Sequence, residues 1–396
     1  MRPCLAAVLA LSPAILAQTV WNVAPPANLT QVFANAAPGD IVVLAPGTYA
    51  RFVLAKGLTV IGPATIHGLD SPPTMTGPWN SVVQVPAGQR ARLVGLDFEQ
   101  GITTGNPTYP NTPHGLDISG DASIEDCLIG PGDPTVAISS GRVSLQRCTM
   151  RVGWNYGGSA IYGGLVSLTD CTLLPKDCFD FAYGQIVGTP ALAIYGGAVT
   201  ASGLTARGGT GCWCAFCPVP AASNPAIHAA WGTDVRITDS NLQAGVGPLA
   251  QSAVSGIAST RLARNTLVPI LGGTPTTGGV LADGNLVGLR MTAGFVRGQT
   301  ATVVATSGTS LGPLLIGASF DAIGVVAPGI EGIYWLQSAT FVPLQLAFPA
   351  AGATVSTNIA VPSSPGLLGA CAWVQAAQLA PSGAWYASPL VGGVVR

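Results

Sequence analysis

Charged residues are scarce in this sequence of 396 residues. Asp, Glu, Lys and Arg make up 8% of it, against roughly a quarter in an average soluble domain. The 16 basic and 17 acidic side chains almost cancel, which leaves a net charge of −1. Because binding to nucleic acid or to an anionic membrane depends on a basic surface, the composition argues against both partners. Only three histidines are present, so candidates for acid–base chemistry are few.

Long apolar runs are also missing after the first residues. Mean hydropathy is +0.48, yet beyond the N-terminus no uncharged apolar run approaches the ~20 residues that a spanning helix needs. We therefore predict no membrane span. Residues 1–17, MRPCLAAVLALSPAILA, have a basic Arg2, an apolar middle and small residues at the end, which is typical of a secretory signal peptide. The sequence thus predicts a monomer that is secreted or held at the cell surface.

Glycine (52 residues) and proline (32 residues) are abundant, and the chain contains an internal repeat. Residues 160–173, AIYGGLVSLTDCTL, return as AIYGGAVTASGLTA at 193–206. The second half recurs as a kernel: an apolar residue, a turn residue two positions on, a small or apolar residue three on and an apolar residue five on. Kernels start at Ile61, Leu93, Ile124, Leu145, Leu168, Ala201, Ile237, Leu262 and Leu281. Such irregular spacing around a constant kernel indicates a solenoid whose loops vary in length.

The kernel predicts strands rather than helices. Gly and Asp at its third position favour a sharp corner, and the flanking apolar residues alternate with polar ones at the two-residue period of a strand. Strand, corner and strand in repetition are typical of a parallel β-helix. We predict an all-β protein with a signal peptide at 1–17, a parallel β-helix at 18–287 and a small β-sandwich at 288–396, where β-rich segments alternate with turns.

The rungs, together with DIVVLAPGTYARFVLAKGLTVIG at 40–62, resemble the right-handed parallel β-helix proteins of the pectate-lyase-like superfamily. In that superfamily a GD-I-x-L-x-P-G-x-Y segment commonly begins the first coils. The resemblance covers residues 20–287 and implies a right-handed helix. It leaves function open, because the superfamily contains lyases, glycosidases, adhesins and noncatalytic proteins.

Both ends of the predicted solenoid have candidate covers. Residues 30–37, TQVFANAA, predict a short amphipathic element over the N-terminal end. Residues 361–389 resemble a C-terminal β-module of secreted bacterial proteins. This resemblance implies a module that covers the solenoid or mediates attachment.

Aromatic residues are the strongest indication of a binding site. Three stand six positions before a kernel start, and two lie in a neighbouring loop: Tyr162, Tyr195 and Trp231, then Trp154 and Tyr156. If Ile161 and Ile194 point inward, alternation turns the tyrosines that follow them outward on adjacent rungs. Exposed rings beside polar loops favour contact with a polysaccharide in a loop-walled groove. Alternatively, the rings only stack on one another or point inward.

Catalytic candidates are weaker. A polysaccharide lyase needs a base and a cation, for instance Ca²⁺, to neutralise a carboxylate, and a glycoside hydrolase needs two carboxyl groups. The charged candidates are Arg151, Lys176, Asp177, Asp180 and His228. The group KDCFD at 176–180 is also explained by a solvated loop. Asp residues at the kernel corner are excluded because their position explains them structurally.

The cysteines form two main groups. Cys127, Cys148 and Cys171 share one kernel position, so we expect them to be buried on consecutive rungs about 4.8 Å apart. The second group lies in two loop insertions: Cys178, Cys212, Cys214 and Cys217. Disulfides are favoured over zinc there, because C-x-C-x-x-C lacks the paired spacing of common zinc sites and export leads to an oxidising compartment. Cys371 stands alone and is expected to be buried.

Three functions remain open from the sequence. The first is binding of polysaccharide without any cofactor. The second is a polysaccharide lyase or glycoside hydrolase, with Ca²⁺ as cofactor in the lyase case. The third is a noncatalytic structural or adhesive role.

Overall fold

The computed structural model describes most of the chain: residues 18–67, 80–99, 115–132, 135–152, 159–175, 189–211, 223–230, 232–247, 249–256, 259–309 and 312–396. The predicted signal peptide at 1–17 lies outside these ranges.

Three long parallel sheets form the solenoid, and successive coils add one strand to each sheet in turn. Sheet A contains Val20–Val23, Ile41–Leu44, Thr59–Ile61, Ala91–Val94, Ala122–Glu125, Arg142–Gln146, Leu165–Thr169, Ala198–Ser202, Asp234–Thr238, Thr260–Ala263 and Leu281–Ala282. Sheet B contains Gly47–Ala50, Ala64–His67, Asp97–Glu99, Leu128–Gly132, Thr149–Val152, Thr172–Leu174, Thr205–Arg207, Asn241–Gln243 and Thr266–Val268. Sheet C contains Val53–Leu54, Ser81–Gln84, Leu116–Ser119, Val136–Ser140, Ser159–Ile161, Leu192–Ile194, Ile227–Ala229, Val254–Ser255 and Thr276–Thr277.

Most predicted kernels align in sheet A. Successive pairing places seven starting residues in one column: Leu93, Ile124, Leu145, Leu168, Ala201, Ile237 and Leu262. The kernel start at Ile61 is wrong for sheet A, because Leu93 pairs with Val60. The corner after Val60 is one residue longer: Val60 to Ile66 spans six positions (66 − 60) against five from Leu93 to Phe98 (98 − 93).

The last kernel differs as well. Leu262 pairs with Ala282 rather than with the predicted Leu281. After Ala282 the chain turns into the antiparallel strand Gly288–Met291. Leu281 therefore begins the exit from the solenoid and is not the start of another complete kernel.

Left-handed backbone makes the corner between sheets A and B. One column has φ between 51° and 72°: Gly95, Asp126, Arg147, Asp170, Gly203, Asp239 and Arg264. This confirms the predicted corner role of Asp and Gly. The two arginines adopt the same conformation, and each binds the corner Asp of the preceding rung. Their Nε atoms lie 2.7 Å from the Asp126 and Asp239 carboxylates.

The interior is continuous and apolar, and the cysteine column lies inside it. Cys127, Cys148 and Cys171 are buried, as predicted. The thiols of Cys148 and Cys171 donate to the carbonyls of Ile124 and Leu145 on the preceding rung, both at 3.4 Å. Burial raises the pKa of the Cys127 and Cys171 thiols. Cys127 and Cys171 therefore carry little thiolate, the form that reacts, and all three cysteines are packing residues that reagents in solution do not reach.

We expect the four buried thiols to resist modification in the native protein. Cys371 joins the column residues here, because it is also buried and burial raises its pKa. A thiol reagent followed by peptide mass mapping should leave Cys127, Cys148, Cys171 and Cys371 unlabelled before denaturation and label all four afterwards. Rapid native labelling of any column cysteine would contradict this packing.

A short helix covers the N-terminal end of the solenoid. The predicted element at 30–37 is the helix Leu29–Asn35, whose N-cap Asn28 accepts a hydrogen bond from the Gln31 amide at 3.2 Å. Phe33 is buried, and its ring packs edge-on against Phe52 at 5.1 Å. The helix thereby excludes water from the first coils.

Residues 288–396, here called the C-terminal unit, contain antiparallel sheets. One sheet contains Gly288–Met291, Thr300–Thr306 and Thr354–Ala360. A second runs in the order Ile330–Glu331, Trp385–Ala387, Cys371–Leu379, Leu314–Ser319 and Val342–Ala347, with Val391–Val394 also paired to Cys371–Leu379. The remaining elements are the strands Ala322–Val325 and Tyr334–Leu336 and the 3-10 helices Ser338–Thr340 and Pro365–Leu367. The predicted all-β fold class, a parallel β-helix followed by a small β-sandwich, is confirmed.

The C-terminal unit packs along the outward face of sheet A. Trp335 and Trp373 are fully buried there, in one cluster with Val94 and Ala198 of the solenoid. Ion pairs link the two parts at the periphery, for example Arg290 with Asp170. The unit therefore covers one side of the solenoid. The sequence resemblance had implied a module that covers the solenoid or mediates attachment.

Candidate functional site

Two tyrosines project from the end of sheet C, at its corner with sheet A. Ile161 and Ile194 are buried, with 2% and 0% of their surface exposed, whereas Tyr162 and Tyr195 are 52% and 49% exposed. This is the arrangement that strand alternation predicted. An inward-facing packing ladder is therefore excluded for these two rings.

The tyrosine rings stack on adjacent rungs and a histidine extends the row. The ring centroids of Tyr162 and Tyr195 are 5.5 Å apart with an interplanar angle of 16°. His228, on the next strand of sheet C, contacts Tyr195 edge-on at 6.4 Å. Stacking and exposure thus occur together, so the sequence alternatives of mutual stacking and outward projection do not exclude each other. We call Tyr162, Tyr195 and His228 the aromatic row.

Glycines after the tyrosines make this close spacing possible. One column at the corner between sheets C and A has positive φ: Gly120, Gly141, Gly164 and Gly197, at 116°, 95°, 89° and 80°. A Cβ on Gly164 would lie 2.4 Å from the carbonyl oxygen of Gly141, and one on Gly197 would lie 2.3 Å from that of Gly164. The YGG motif therefore permits backbone contact between rungs that any side chain would prevent.

Small side chains line the outward face of sheet C beside the aromatic row. Pairing places Ala137, Ala160 and Ala193 in one column that continues to His228. In the other direction the column continues to Asp117, whose carboxylate accepts a 2.7 Å hydrogen bond from Asn80. The three alanines are only 5–8% exposed, so the column is a strip of small, largely covered side chains with polar groups at both ends. We call this strip and the aromatic row the sheet C face.

No family model, curated protein or solved structure matches this chain. The parallel β-helix is therefore established by strand pairing alone. In the part of the chain that the structure describes, no helix is long and apolar enough to cross a membrane. Within the same residues, no three or more His, Cys, Asp or Glu side chains come together as a set of metal ligands.

Many of the sequence candidates lie outside the described residues. They are the aromatic residues Trp154, Tyr156 and Trp231, the charged residues Lys176, Asp177 and Asp180, and the cysteines Cys178, Cys212, Cys214 and Cys217. All except Trp231 belong to chain segments that connect a strand of sheet B to the next strand of sheet C. Their binding, catalytic and disulfide roles stay predictions.

Arg151 lies on a different sheet from the aromatic row. It is an exposed residue of the sheet B strand Thr149–Val152, and it pairs with Leu174. On the following rung Leu173 pairs with Ala206. This register places the next residue, Arg207, opposite Leu174 in the same column. Of the predicted catalytic residues in the described chain, only His228 lies beside the tyrosines.

A hydroxyl column on sheet B escaped the sequence analysis. Thr149, Thr172 and Thr205 pair in register, and Asn241 and Thr266 continue the column. Each of these residues occupies the fifth position of its kernel. This constant position relative to the kernel start could have identified the column from the sequence. Strand alternation turns the column away from the interior.

Proposed function

We propose that the protein is exported and binds polysaccharide on the sheet C face, with Tyr162 and Tyr195 as the central contacts. The observation that carries this proposal is the stacked, half-exposed tyrosine pair at the edge of a strip of small residues. Exposed aromatic side chains give large contact area at low entropic cost. Neighbouring polar groups such as Asp117 and His228 suit the hydroxyl groups of sugars.

Away from Asp117, which lies at one end of the sheet C face, the charges of the later coils favour an acidic polysaccharide over a neutral one. From residue 135 onward, the described strands of sheets B and C contain three charged or titratable residues, Arg151, Arg207 and His228, and all are basic. The described acids of these coils instead lie on sheet A or at its corners. Asp170, Asp234 and Asp239 bind Arg290, Arg236 and Arg264. A chain of uronic acids or sulfated sugars complements this distribution.

Binding is favoured over cleavage. A lyase or glycosidase needs a base or paired carboxyl groups next to the bound sugar. In the described chain the sheet C face has two such groups, His228 and Asp117, which lie apart at opposite ends of the alanine column, while Arg151 is on sheet B. The enzyme alternative depends on Lys176, Asp177 and Asp180. The structural or adhesive alternative would be favoured if the protein had no affinity for glycans.

We also propose that the solenoid belongs to the pectate-lyase-like superfamily and that residues 361–389 belong to a module of secreted bacterial proteins. The support is the segment at 40–62 and the kernel repeat for the first, and the sequence resemblance alone for the second. Neither assignment decides between binding and catalysis.

We expect Tyr195→Ala to weaken binding to an acidic polysaccharide at least tenfold, about 1.4 kcal/mol. The substitution removes an exposed ring and the stacking partner of Tyr162. Affinity electrophoresis and calorimetry with polygalacturonate, alginate and a neutral glucan measure the change. Tyr195→Phe should retain most of the affinity, because it preserves the stacked ring.

Phe348→Ala serves as the matched control, since Phe348 is 76% exposed on the C-terminal unit. It should bind as the unmodified protein does. Unchanged affinity in Tyr195→Ala would exclude the sheet C face as the binding site. New reducing ends alone in the same incubations would show that the function is hydrolysis, and unsaturated uronate products would show that it is elimination.

A further inference from the structure

The last strand of the C-terminal unit crosses the rungs of sheet A, and alternate residues bind successive rungs. The Leu390 amide donates to Ser167 Oγ at 2.9 Å and the Gly392 amide to Gln146 Oε1 at 2.9 Å. The Val394 amide donates to both carboxylate oxygens of Glu125, at 3.1 and 3.2 Å. Side chains of the solenoid thus provide acceptors for backbone amides of the C-terminal unit.

Glu125 is the only one of these acceptors that can ionise. Its side chain is 1% exposed, and a Cβ on Gly393 would lie 1.9 Å from its carboxylate. Besides Val394, it accepts a hydrogen bond from Ser123 Oγ at 3.2 Å. Because the strand covers the carboxyl group completely, water has no access to stabilise a negative charge there.

Compensation of that charge is weak because the nearest cation is distant. The Arg147 guanidinium lies 3.9 Å from Glu125, beyond hydrogen-bond distance, and 2.7 Å from Asp126, which Arg396 also binds. The charged and titratable groups of the surroundings are Arg147, Asp126, Arg92 and Arg90 from the solenoid and Cys371, Asp321 and Arg396 from the C-terminal unit. Burial raises the pKa of Glu125 to about 7, while Arg147 and the Val394 amide act in the opposite direction.

The neighbouring rung shows that the contact needs no charge. Gln146 pairs in register with Glu125 in sheet A, and its neutral amide oxygen accepts the Gly392 amide in the same way. A protonated carboxyl group, like an amide, retains a neutral acceptor oxygen. The neutral form of Glu125 therefore fits the strand, whereas the ionised form adds a buried charge.

We propose that Glu125 makes attachment of the C-terminal unit to sheet A sensitive to pH, with tight attachment while Glu125 is protonated and weaker attachment once it ionises. A carboxyl group whose pKa is higher in the attached state binds more protons there. Attachment thus weakens as pH rises from the free value of 4.5 through about 7. This regulation does not depend on what the sheet C face binds.

Hydrogen exchange with correction for intrinsic rates tests the proposal on the full chain. Between about pH 5 and about pH 9, protection of the Gly392 and Val394 amides should fall by up to about 75-fold, which is the part above pH 5 of the ~300-fold change for 2.5 pKa units (7 − 4.5). Glu125→Gln should keep protection within about twofold over the same range, because it resembles Gln146.

Glu331→Gln is the matched control, since Glu331 binds Arg236 and Arg261 at the same interface and is 37% exposed. It should keep the pH profile of the unmodified protein. A flat profile in the unmodified protein, or an unchanged profile in Glu125→Gln, overturns the proposal. If Glu125→Gln does not fold, infrared spectroscopy of the unmodified protein decides: a protonated carboxyl band at about pH 6 that disappears by about pH 8 supports the proposal, and its absence overturns it.

Discussion

Replacement of Gly164 by alanine is expected to lower the free energy of unfolding by about 4 kcal/mol. Gly164 has φ of 89°, and a Cβ would lie 2.4 Å from the Gly141 carbonyl oxygen on the preceding rung. Neither atom belongs to a flexible side chain, so relief requires that two rungs separate. Separation would weaken the backbone hydrogen bond from Leu165 to Gly141, now 2.9 Å long.

Gly88 provides a control with matched backbone. Its φ is 83°, but no heavy atom lies within 4 Å of the position that a Cβ would occupy. Gly88→Ala should therefore cost only about 1 kcal/mol, the conformational penalty of a left-handed alanine. Guanidinium unfolding curves measure both variants. Equal losses of unfolding free energy in the two variants would mean that close contact between rungs is not the reason for glycine in this column.

Trp373→Ala should have an effect of similar size, about 4 kcal/mol. Trp373 is completely buried where strand Cys371–Leu379 faces sheet A. Its removal leaves a cavity, and it also removes the ring 5.8 Å from the guanidinium of Arg90. Burial lowers the pKa of Arg90 to about 10, so this cation is already poorly solvated and loses a favourable contact.

Denaturation of Trp373→Ala should show the C-terminal unit detaching before the solenoid unfolds. Trp373→Phe should lose less, because much of the ring volume and the cation contact remain. Phe348→Ala is the exposed control and should change stability by less than about 0.5 kcal/mol. A single unshifted transition in Trp373→Ala would contradict the importance of this contact.

Local pattern was sufficient to predict the solenoid. Each rung repeats the same short-range relations, so the kernel predicted the aligned column of Leu145 and Leu168 and the left-handed corners at Asp126 and Asp170. Alternation also predicted the outward direction of Tyr162. It failed at Ile61, where one additional residue in the corner changes the register without changing the kernel.

The packing of the C-terminal unit on sheet A could not be predicted from local sequence patterns. It depends on contacts such as those between residues more than 200 positions apart. Ser167 and Gln146 look like ordinary outward polar residues, yet they bind Leu390 and Gly392. Similarly, the sequence made Arg151 a catalytic candidate without showing which sheet it lies on. Its strand belongs to sheet B, which separates it from the tyrosines at the end of sheet C.

The side-on attachment of the C-terminal unit limits how this solenoid can change its length in evolution. Solenoids commonly grow or shrink by whole coils, because each coil contacts only its neighbours. Here one unit contacts coils from Ile41, whose side chain lies against Gly369, to Arg261, which binds Glu331. A coil gained between these residues would shift one anchor by about 4.8 Å relative to the other. The unit thus fixes the number of coils between its two anchors, and coils are most easily gained or lost outside them.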